Sequence, residues 1–208
     1  MSASTIAFLA RPAPLVAPEL LGWRLAIGPH LARITETEAY HGVSDRACHA
    51  CKGRTLRTEG LFAGPGTLYV YLCYGMHWML NLVCDRVDVP SAVLIRSIEL
   101  PGIDPRASNG PGKVAKLLGL QREHHGQHLD GGGLQLLPPL TPVKRRRRGP
   151  RVGVAYAGPG WADKPWRWWE DGFPVVVNKM TNKVAGKTAG KTASKLADQL
   201  AESRAKRL

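Results

Sequence analysis

The chain has 208 residues, of which 44% are hydrophobic, and it carries a formal net charge of +13 at pH 7. This length suits one compact domain with a sizeable core. The sequence has no apolar run long enough to cross a membrane, and no basic segment precedes an apolar one at its start. These features argue against a membrane protein and against a secreted one.

Positive charge is concentrated in two parts of the sequence. Residues 144–148 together with Arg151 supply six positive charges without an intervening acid, and residues 179–208 hold eight basic residues against two acidic ones. The two parts therefore contribute six plus six of the thirteen net charges, and the remainder is nearly neutral. Such blocks favour polyanions through counterion release, although a solvated loop and a solubilising tail have the same pattern.

The first predicted elements are an apolar helix near residues 15–21 and two strands at residues 23–27 and 31–40. A Gly-Pro-His turn separates the strands. Strand periodicity places three polar residues of the second strand on one face, namely Glu36, Glu38 and Tyr40. Two carboxylates and a tyrosine make an unusual core face, so we expect this face to border a cleft.

Two runs of β-branched and aromatic residues predict a hairpin with strands at residues 67–74 and 77–84. Tyr74 comes directly before the Gly-Met pair of the turn, which places it beside the hairpin tip. Residues 91–98 form the next predicted strand, in which Arg96 shares a face with apolar residues. Because an unpaired buried charge is costly, we expect Arg96 to meet a carboxylate.

An amphipathic helix is predicted at residues 114–120, after an Asn-Gly-Pro-Gly-Lys segment. A proline near the start suits a first helical turn, and the free amides around Gly112 and Lys113 are suited to a phosphate. Residues 121–148 contain several glycines and histidines but show no clear periodic pattern. We therefore predict that this stretch is irregular.

Closing strands are predicted at residues 151–156 and 174–177, on either side of a tryptophan-rich turn. The whole pattern indicates an α+β fold: a single domain over residues 1–178 with a curved, mainly antiparallel β-sheet, flanking helices and a protruding β-hairpin. Residues 179–208 are expected to be a basic Lys/Ala-rich tail, either disordered or helical on a polyanion.

Four cysteines raise the question of a disulfide framework or a metal site, namely Cys48, Cys51, Cys73 and Cys84. Disulfide frameworks belong to small secreted domains, and nothing here indicates secretion. The Cys48 and Cys51 pair resembles half of a zinc site, but no second Cys/His pair follows at a suitable spacing. We therefore expect no metal, and core thiols at Cys73 and Cys84.

The most specific signal is an ordered set of motifs. It comprises Arg-Ile-Thr-Glu-Thr-Glu-Ala-Tyr at residues 33–40, His49, Gly-Pro-Gly-Thr-Leu-Tyr-Val-Tyr-Leu-Cys-Tyr-Gly-Met at residues 64–76, Asn81, Arg96, and the segments at residues 109–113 and 151–154. In this order the motifs resemble the alkyladenine (3-methyladenine) DNA glycosylase family, the type without a helix-hairpin-helix motif. The resemblance covers residues 8–177 and leaves out the basic tail.

The resemblance implies a base-excision-repair enzyme that flips a damaged purine, alkylated or deaminated, out of duplex DNA. By this resemblance Tyr74 is the DNA-intercalating residue at the hairpin tip, which fills the gap left by the base. Tyr40 and Tyr71 enclose the flipped base, His49 stacks on it or hydrogen-bonds to it, and Asn81 crowds the exocyclic amine of normal guanine. Electron-poor alkylated purines gain most from such aromatic faces.

The resemblance also implies the chemistry. Glu38 is matched to the catalytic glutamate that activates water, and Arg96 to the arginine that helps to hold this water. Spacing alone does not choose between Glu38 and Glu36, because both lie on the same predicted face. No lysine occupies a nucleophile position, so we expect a monofunctional hydrolase without a cofactor that leaves an abasic site. We assign DNA-backbone contacts to Gly112, Lys113 and Arg151.

The expected partner is double-stranded DNA containing a damaged purine, bound by a monomer in the bacterial cytoplasm at the nucleoid or in a eukaryotic nucleus. The alternative is a catalytically inactive, damage-binding or architectural DNA-binding protein that uses Tyr74 and the basic blocks. An acyl-group enzyme is disfavoured, because the pocket set has no nucleophile beside a base. The Glu38 and Arg96 pair favours an enzyme over a binding protein.

Overall fold

The structure is a computed structural model that describes residues 3–131 and 133–175. The predicted basic tail, residues 179–208, and the last two residues of the predicted strand at 174–177 lie outside these described residues.

An antiparallel sheet of eight strands organises the described chain. The strands are β1 (Arg24–Ile27), β2 (His30–His41), β3 (Leu68–Cys73), β4 (His77–Val83), β5 (Ser91–Glu99), β6 (Leu134–Leu137), β7 (Arg146–Gly149) and β8 (Arg167–Glu170). Their main order is β3-β4-β5-β2-β1-β6, while β8 pairs with β2 and β7 pairs with β8. The expected α+β class and the curved, mainly antiparallel sheet are confirmed.

Strand β2 is the centre of the sheet because it pairs with three others. Residues 30–33 pair with β1, residues 33–41 pair with β5, and residues 36–38 also pair with β8. The β2–β5 register shifts on both sides of Glu36. A shift of this kind is a β-bulge, which increases local twist and changes where side chains point.

The apolar core lies between the sheet and three short helices, α1 (Ala3–Leu9), α2 (Ala13–Glu19) and α3 (Pro111–Leu117). Helix α2 packs on β2, where the buried Thr37 hydroxyl donates a 2.8 Å hydrogen bond to the carbonyl oxygen of Ala17. Thr37 alternates with Glu36 and Glu38 along β2, so the polar face of this strand is turned away from α2.

The predicted hairpin is formed by β3 and β4, with Leu68 opposite Leu82 and Cys73 opposite His77. Its turn is closed by a 3.1 Å hydrogen bond from the Met76 amide to the Cys73 carbonyl oxygen. The two residues between them have positive φ, 50° at Tyr74 and 69° at Gly75. Glycine adopts this region freely, whereas a tyrosine there is uncommon and costs roughly 1–3 kcal/mol.

Three sequence predictions of secondary structure are wrong. Residues 151–156 do not form a strand; they are irregular and run into the short 3₁₀ helix Ala155–Ala157. Pro174 and Val175 are not in a strand either, and the closing strand is β8, inside the predicted tryptophan-rich turn. The predicted irregular stretch at 121–148 contains β6 and the first residues of β7, which the arginine run forms as an edge strand.

Candidate active site

The Glu38 carboxylate lies fully buried on β2 and is surrounded by hydrogen-bond donors. Its Oε1 accepts a 2.7 Å hydrogen bond from the backbone amide of Val152, and its Oε2 accepts a 2.8 Å bond from the Tyr40 hydroxyl. The Arg96 Nη1 atom lies 3.4 Å from the same Oε2. All three contacting residues line one large cleft, so Glu38 lies directly behind the cleft floor.

Glu36 is the second buried carboxylate of this face, and it also contacts Arg96. Its Oε1 lies 3.2 Å from Arg96 Nε and 3.3 Å from Arg167 Nε, while its Oε2 accepts a 3.1 Å hydrogen bond from the Ser97 hydroxyl. Of these contacts only Arg96 lines the cleft. The expectation that Arg96 meets a carboxylate is therefore confirmed, with two carboxylates in place of one.

Burial and charge determine the protonation of this cluster. Burial raises the pKa of Glu36 against the opposing effects of Arg96 and Arg167. Burial, followed by the charge of Glu38, raises the pKa of Tyr40 well above its usual value, so its hydroxyl stays protonated and donates to Glu38. Burial alone lowers the pKa of Arg96, but the Glu38 and Glu36 carboxylates raise it overall.

A small aromatic pocket with a volume of about 50 Å³ is walled on one side by Tyr40, the residue whose hydroxyl donates to Glu38. It is lined by the four residues assigned to base binding, namely Tyr40, His49, Tyr71 and Asn81. The other lining residues are Ala47, Cys48, Leu61, Tyr69, Ala92 and Tyr156. A concavity lined by aromatic rings and a few polar side chains is a usual form of a small-molecule site.

His49 stands edge-on to the ring of Tyr71, with ring centroids 4.6 Å apart and an interplanar angle of 71°. Its Nδ1 atom lies 3.0 Å from the Tyr69 hydroxyl. Burial lowers the pKa of His49, and the charge of Arg57 lowers it further, so the imidazole is neutral near pH 7. A neutral imidazole has an apolar ring face, one N–H donor and one acceptor nitrogen.

Asn81 is buried on β4, where its side-chain amide donates a 3.0 Å hydrogen bond to the carbonyl oxygen of Tyr69. This bond crosses between paired strands, since Tyr69 is the register partner of Asn81. The side chain is thereby held in one orientation at the pocket wall.

Tyr74 is 86% exposed at the tip of the β3–β4 hairpin and lines the same cleft as Arg96. Gly112 and Lys113 lie in the first turn of α3, where Lys113 is exposed and its Nζ donates a 2.8 Å hydrogen bond to the Arg106 carbonyl oxygen. The neighbouring Pro111 lines the cleft. The structure thus brings the hairpin tip and the start of α3 to the region of the two carboxylates.

The assignment of Arg151 to the DNA backbone is corrected by the structure. Its side chain is buried and makes 2.6 Å and 2.9 Å hydrogen bonds to the equally buried Asp45. The guanidinium also donates to the carbonyl oxygens of Ala39 and Trp161, and it lies 4.9 Å from the centre of the Tyr40 ring. A guanidinium occupied in this way is not available to a phosphate.

Sequence reasoning missed four residues of the site. Tyr69 and Tyr156 line the pocket, Val152 provides an amide to Glu38, and Asp45 neutralises Arg151. The Tyr-Val-Tyr alternation of β3 was a signal for Tyr69, because it places Tyr69 and Tyr71 on one face. Nothing local in the sequence singles out the other three.

Residues 3–131 and 133–175 contain neither a cluster of metal-ligating side chains nor a membrane-spanning helix. No group of three or more His, Cys, Asp or Glu side chains in these ranges is arranged to hold a metal ion. Within the same ranges no helix has the length and apolar character needed to span a membrane. Cys84 is a buried thiol as expected, whereas Cys73 is half-buried and lines the cleft.

Comparisons with known proteins agree with the motifs. A family model for methylpurine-DNA glycosylase matches residues 7–174. A Myxococcus xanthus protein provisionally named 3-methyladenine DNA glycosylase is 48% identical over 170 residues, which cover 78% of this chain and 87% of the relative. The Arabidopsis thaliana DNA-3-methyladenine glycosylase is 43% identical over 167 residues, which cover 73% of this chain and 65% of the relative. The resemblance in the motifs is confirmed: the chain belongs to the methylpurine-DNA glycosylase family, a family of DNA glycosylases.

Proposed function

We propose that the protein flips a damaged purine out of duplex DNA and hydrolyses its N-glycosidic bond, leaving an abasic site. The observation that carries this proposal is the pair of contacts made by Glu38: its partner Tyr40 lines both the aromatic pocket and the large cleft, and its partner Arg96 lines the cleft. The protein acts as a monomer on this proposal, since one exposed tip and one pocket serve one lesion.

Extruding a base costs a few kcal/mol, which the protein has to offset. Tyr74 is suited to this, because its exposed ring can stack on the bases beside the gap, and each such contact contributes about 1–3 kcal/mol. A backbone with positive φ at a bulky residue is typical of functional positions. We assign the wedge to Tyr74 for these two reasons.

The extruded base enters the pocket between Tyr40, His49 and Tyr71. Cationic alkylated purines gain most there, since the face of an aromatic ring attracts positive charge. Neutral deaminated purines such as hypoxanthine are also accepted, through stacking and the N–H donor of the neutral His49. Asn81 discriminates against normal guanine, because its orientation is fixed by the bond to Tyr69 and a clash with an exocyclic amine is not relieved by rotation.

Hydrolysis then requires a water molecule at the anomeric carbon, on the side opposite to the departing base. Glu38 takes one proton from this water as the C–O bond forms and the C–N bond breaks, and its charge stabilises the oxocarbenium-like sugar. Arg96 orients the water and Glu38 together. The bonding electrons leave with the base, so a cationic base departs neutral. A neutral base departs as an anion and takes up a proton from water, and Glu38 then returns its own proton to the solvent.

The test is single-turnover release of hypoxanthine or an alkylated purine from a duplex, in the presence of a metal chelator, followed by alkaline cleavage of abasic sites. We expect Glu38→Gln to abolish release, while the exposed Glu123→Gln variant serves as the control and matches the wild type. Glu36→Gln separates the two carboxylates, since a general base at Glu36 would make this variant the inactive one. Tight lesion binding by the wild type without release would show a damage-binding protein instead.

A further inference from the structure

Leu56 is an apolar side chain without a role in the proposed mechanism, and it is 100% exposed. A single exposed leucine is ordinary on a protein surface. Leu140, which is 78% exposed and lies away from the cleft, is an example. Leu56 differs because of the loop that carries it, residues 53–58, which we call the rim loop.

The rim loop is held in shape by its own hydrogen bonds. The buried Thr58 hydroxyl donates a 3.0 Å bond to the Gly53 carbonyl oxygen and accepts a 2.8 Å bond from the Thr55 amide. Arg54 fixes the loop to the domain through a 2.7 Å ion pair with Asp88. Leu56 therefore stands at the apex of a braced loop, and little conformational entropy remains to be lost when it binds.

The rim loop lies between the cleft and the hairpin. Its members Thr55, Arg57 and Thr58 line the cleft that also contains Tyr74 and Arg96. On the other side, Leu56 lines a shallow groove with Leu72 and Trp78 of the hairpin. A duplex bound at Tyr74 and the cleft is therefore adjacent to the rim loop.

The charges around the loop match a polyanion. Lys52 and Arg57 flank Leu56, both are exposed, and neither has a carboxylate partner among the residues that the structure describes. Arg57 also hydrogen-bonds to the Tyr69 side chain, so it lies near the aromatic pocket. Phosphates are the complement of cations beside an apolar tip, and the apolar tip is stabilised when it moves from water to a position between stacked bases. Proteins that distort a duplex use apolar wedges of this type.

We infer that the rim loop is a second DNA-inserting element, in which Leu56 wedges into a base step flanking the lesion while Tyr74 fills the gap of the flipped base. The inference rests on the proposed function, because it requires lesion-containing duplex DNA in the cleft. It adds a residue that holds the distorted duplex open and takes no part in the chemistry.

The experiment compares Leu56→Ala with Leu140→Ala, which removes another highly exposed leucine elsewhere, and with the conservative Leu56→Met. The duplex carries 2-aminopurine at the step beside a lesion analogue that resists hydrolysis, and its fluorescence reports unstacking. We expect Leu56→Ala to lose most of the fluorescence rise and to release base from a normal lesion duplex about tenfold more slowly. Leu140→Ala and Leu56→Met should match the wild type.

Equal fluorescence for Leu56→Ala and Leu140→Ala, with 2-aminopurine placed on either side of the lesion, would overturn the inference. Slower base release by Leu56→Ala with an unchanged fluorescence rise would overturn it too, since the effect would then lie in the pocket. This outcome can be distinguished from a failure of the proposed function. If the wild type unstacks the base step but releases no base, the proposed hydrolysis is contradicted, whereas the role of Leu56 as a wedge is not.

Discussion

The buried ion pair between Arg151 and Asp45 leads to a quantitative prediction. Both side chains are completely buried, and the Asp45 carboxylate accepts four hydrogen bonds, two from Arg151 and one each from the amides of His41 and Ala47. Replacing Arg151 by methionine keeps much of the volume but leaves the Asp45 charge buried with only two weaker donors. Removing one partner of a buried pair costs about 3–5 kcal/mol of unfolding free energy.

For a domain of this size each kcal/mol lowers Tm by about 2–4 °C, so Arg151→Met should lower Tm by roughly 6–20 °C. Urea denaturation at pH 7, followed by tryptophan fluorescence, measures the loss in free energy. Arg147→Met is the control, because the pair between Arg147 and Asp171 is exposed and its removal should hardly move the urea midpoint. The double variant Asp45→Asn/Arg151→Met should recover part of the lost unfolding free energy, because it also removes the unpaired buried charge of Asp45.

A loss below about 1 kcal/mol for Arg151→Met would refute this reasoning, since it would mean that water or another cation reaches Asp45. The pair also joins the end of β2 to the segment that presents the Val152 amide to Glu38, one residue after Arg151. We therefore expect slower base release by Arg151→Met under conditions in which the variant is fully folded.

Four further predictions concern DNA binding and pH. Tyr74→Ala should slow base release from duplex DNA by 10- to 100-fold, following the roughly 1–3 kcal/mol of one stacking contact, with unchanged thermal stability. Lys113→Ala should lower the slope of log K against log salt by about one phosphate contact without changing lesion preference, as filter binding at several salt concentrations can show. Truncation after residue 177 should flatten the same salt dependence while single-turnover release survives, and an unchanged slope would contradict a role of the tail in binding. Burial lowers the pKa of His49 in the folded protein, so as pH falls the unfolded chain binds a proton on this imidazole before the folded chain does. The free energy of unfolding should therefore fall as pH drops below 6.5. His49→Gln should weaken this pH dependence in urea titrations.

Much of the site was accessible from the sequence because one strand carries it. The period of two along β2 places Glu36, Glu38 and Tyr40 on one face, and a polar face on a central strand indicates a cleft. The same period could not choose between the carboxylates. That choice depends on contacts from elsewhere in the chain, since Glu38 meets the Val152 amide, 114 residues away, and Glu36 meets Arg167.

The errors of the sequence analysis have a common physical cause. Arg151 follows a run of arginines and was grouped with it by charge, but its surroundings are determined by the approach of Asp45 from 106 residues away. Strand β7 was missed for a related reason. Three arginines and a glycine have no apolar alternation to indicate a strand, and β7 forms because β8 offers it a hydrogen-bonding edge.

The arginines explain how two carboxylates, Glu36 and Glu38, can both be buried in one cluster. Two carboxylates on one face would repel each other, yet Arg96 contacts both of them and Arg167 contacts the same Glu36 oxygen as Arg96. Glu36 is therefore committed to arginine and serine contacts, and it holds the Arg96 Nε while Nη1 remains directed at Glu38. In this arrangement Glu36→Gln should weaken the orientation of Arg96 and reduce the rate of base release, whereas Glu38→Gln removes the proton acceptor that we propose. The ratio of the base-release rates of the two variants compares the effect of losing the position of Arg96 with the effect of losing the Glu38 carboxylate.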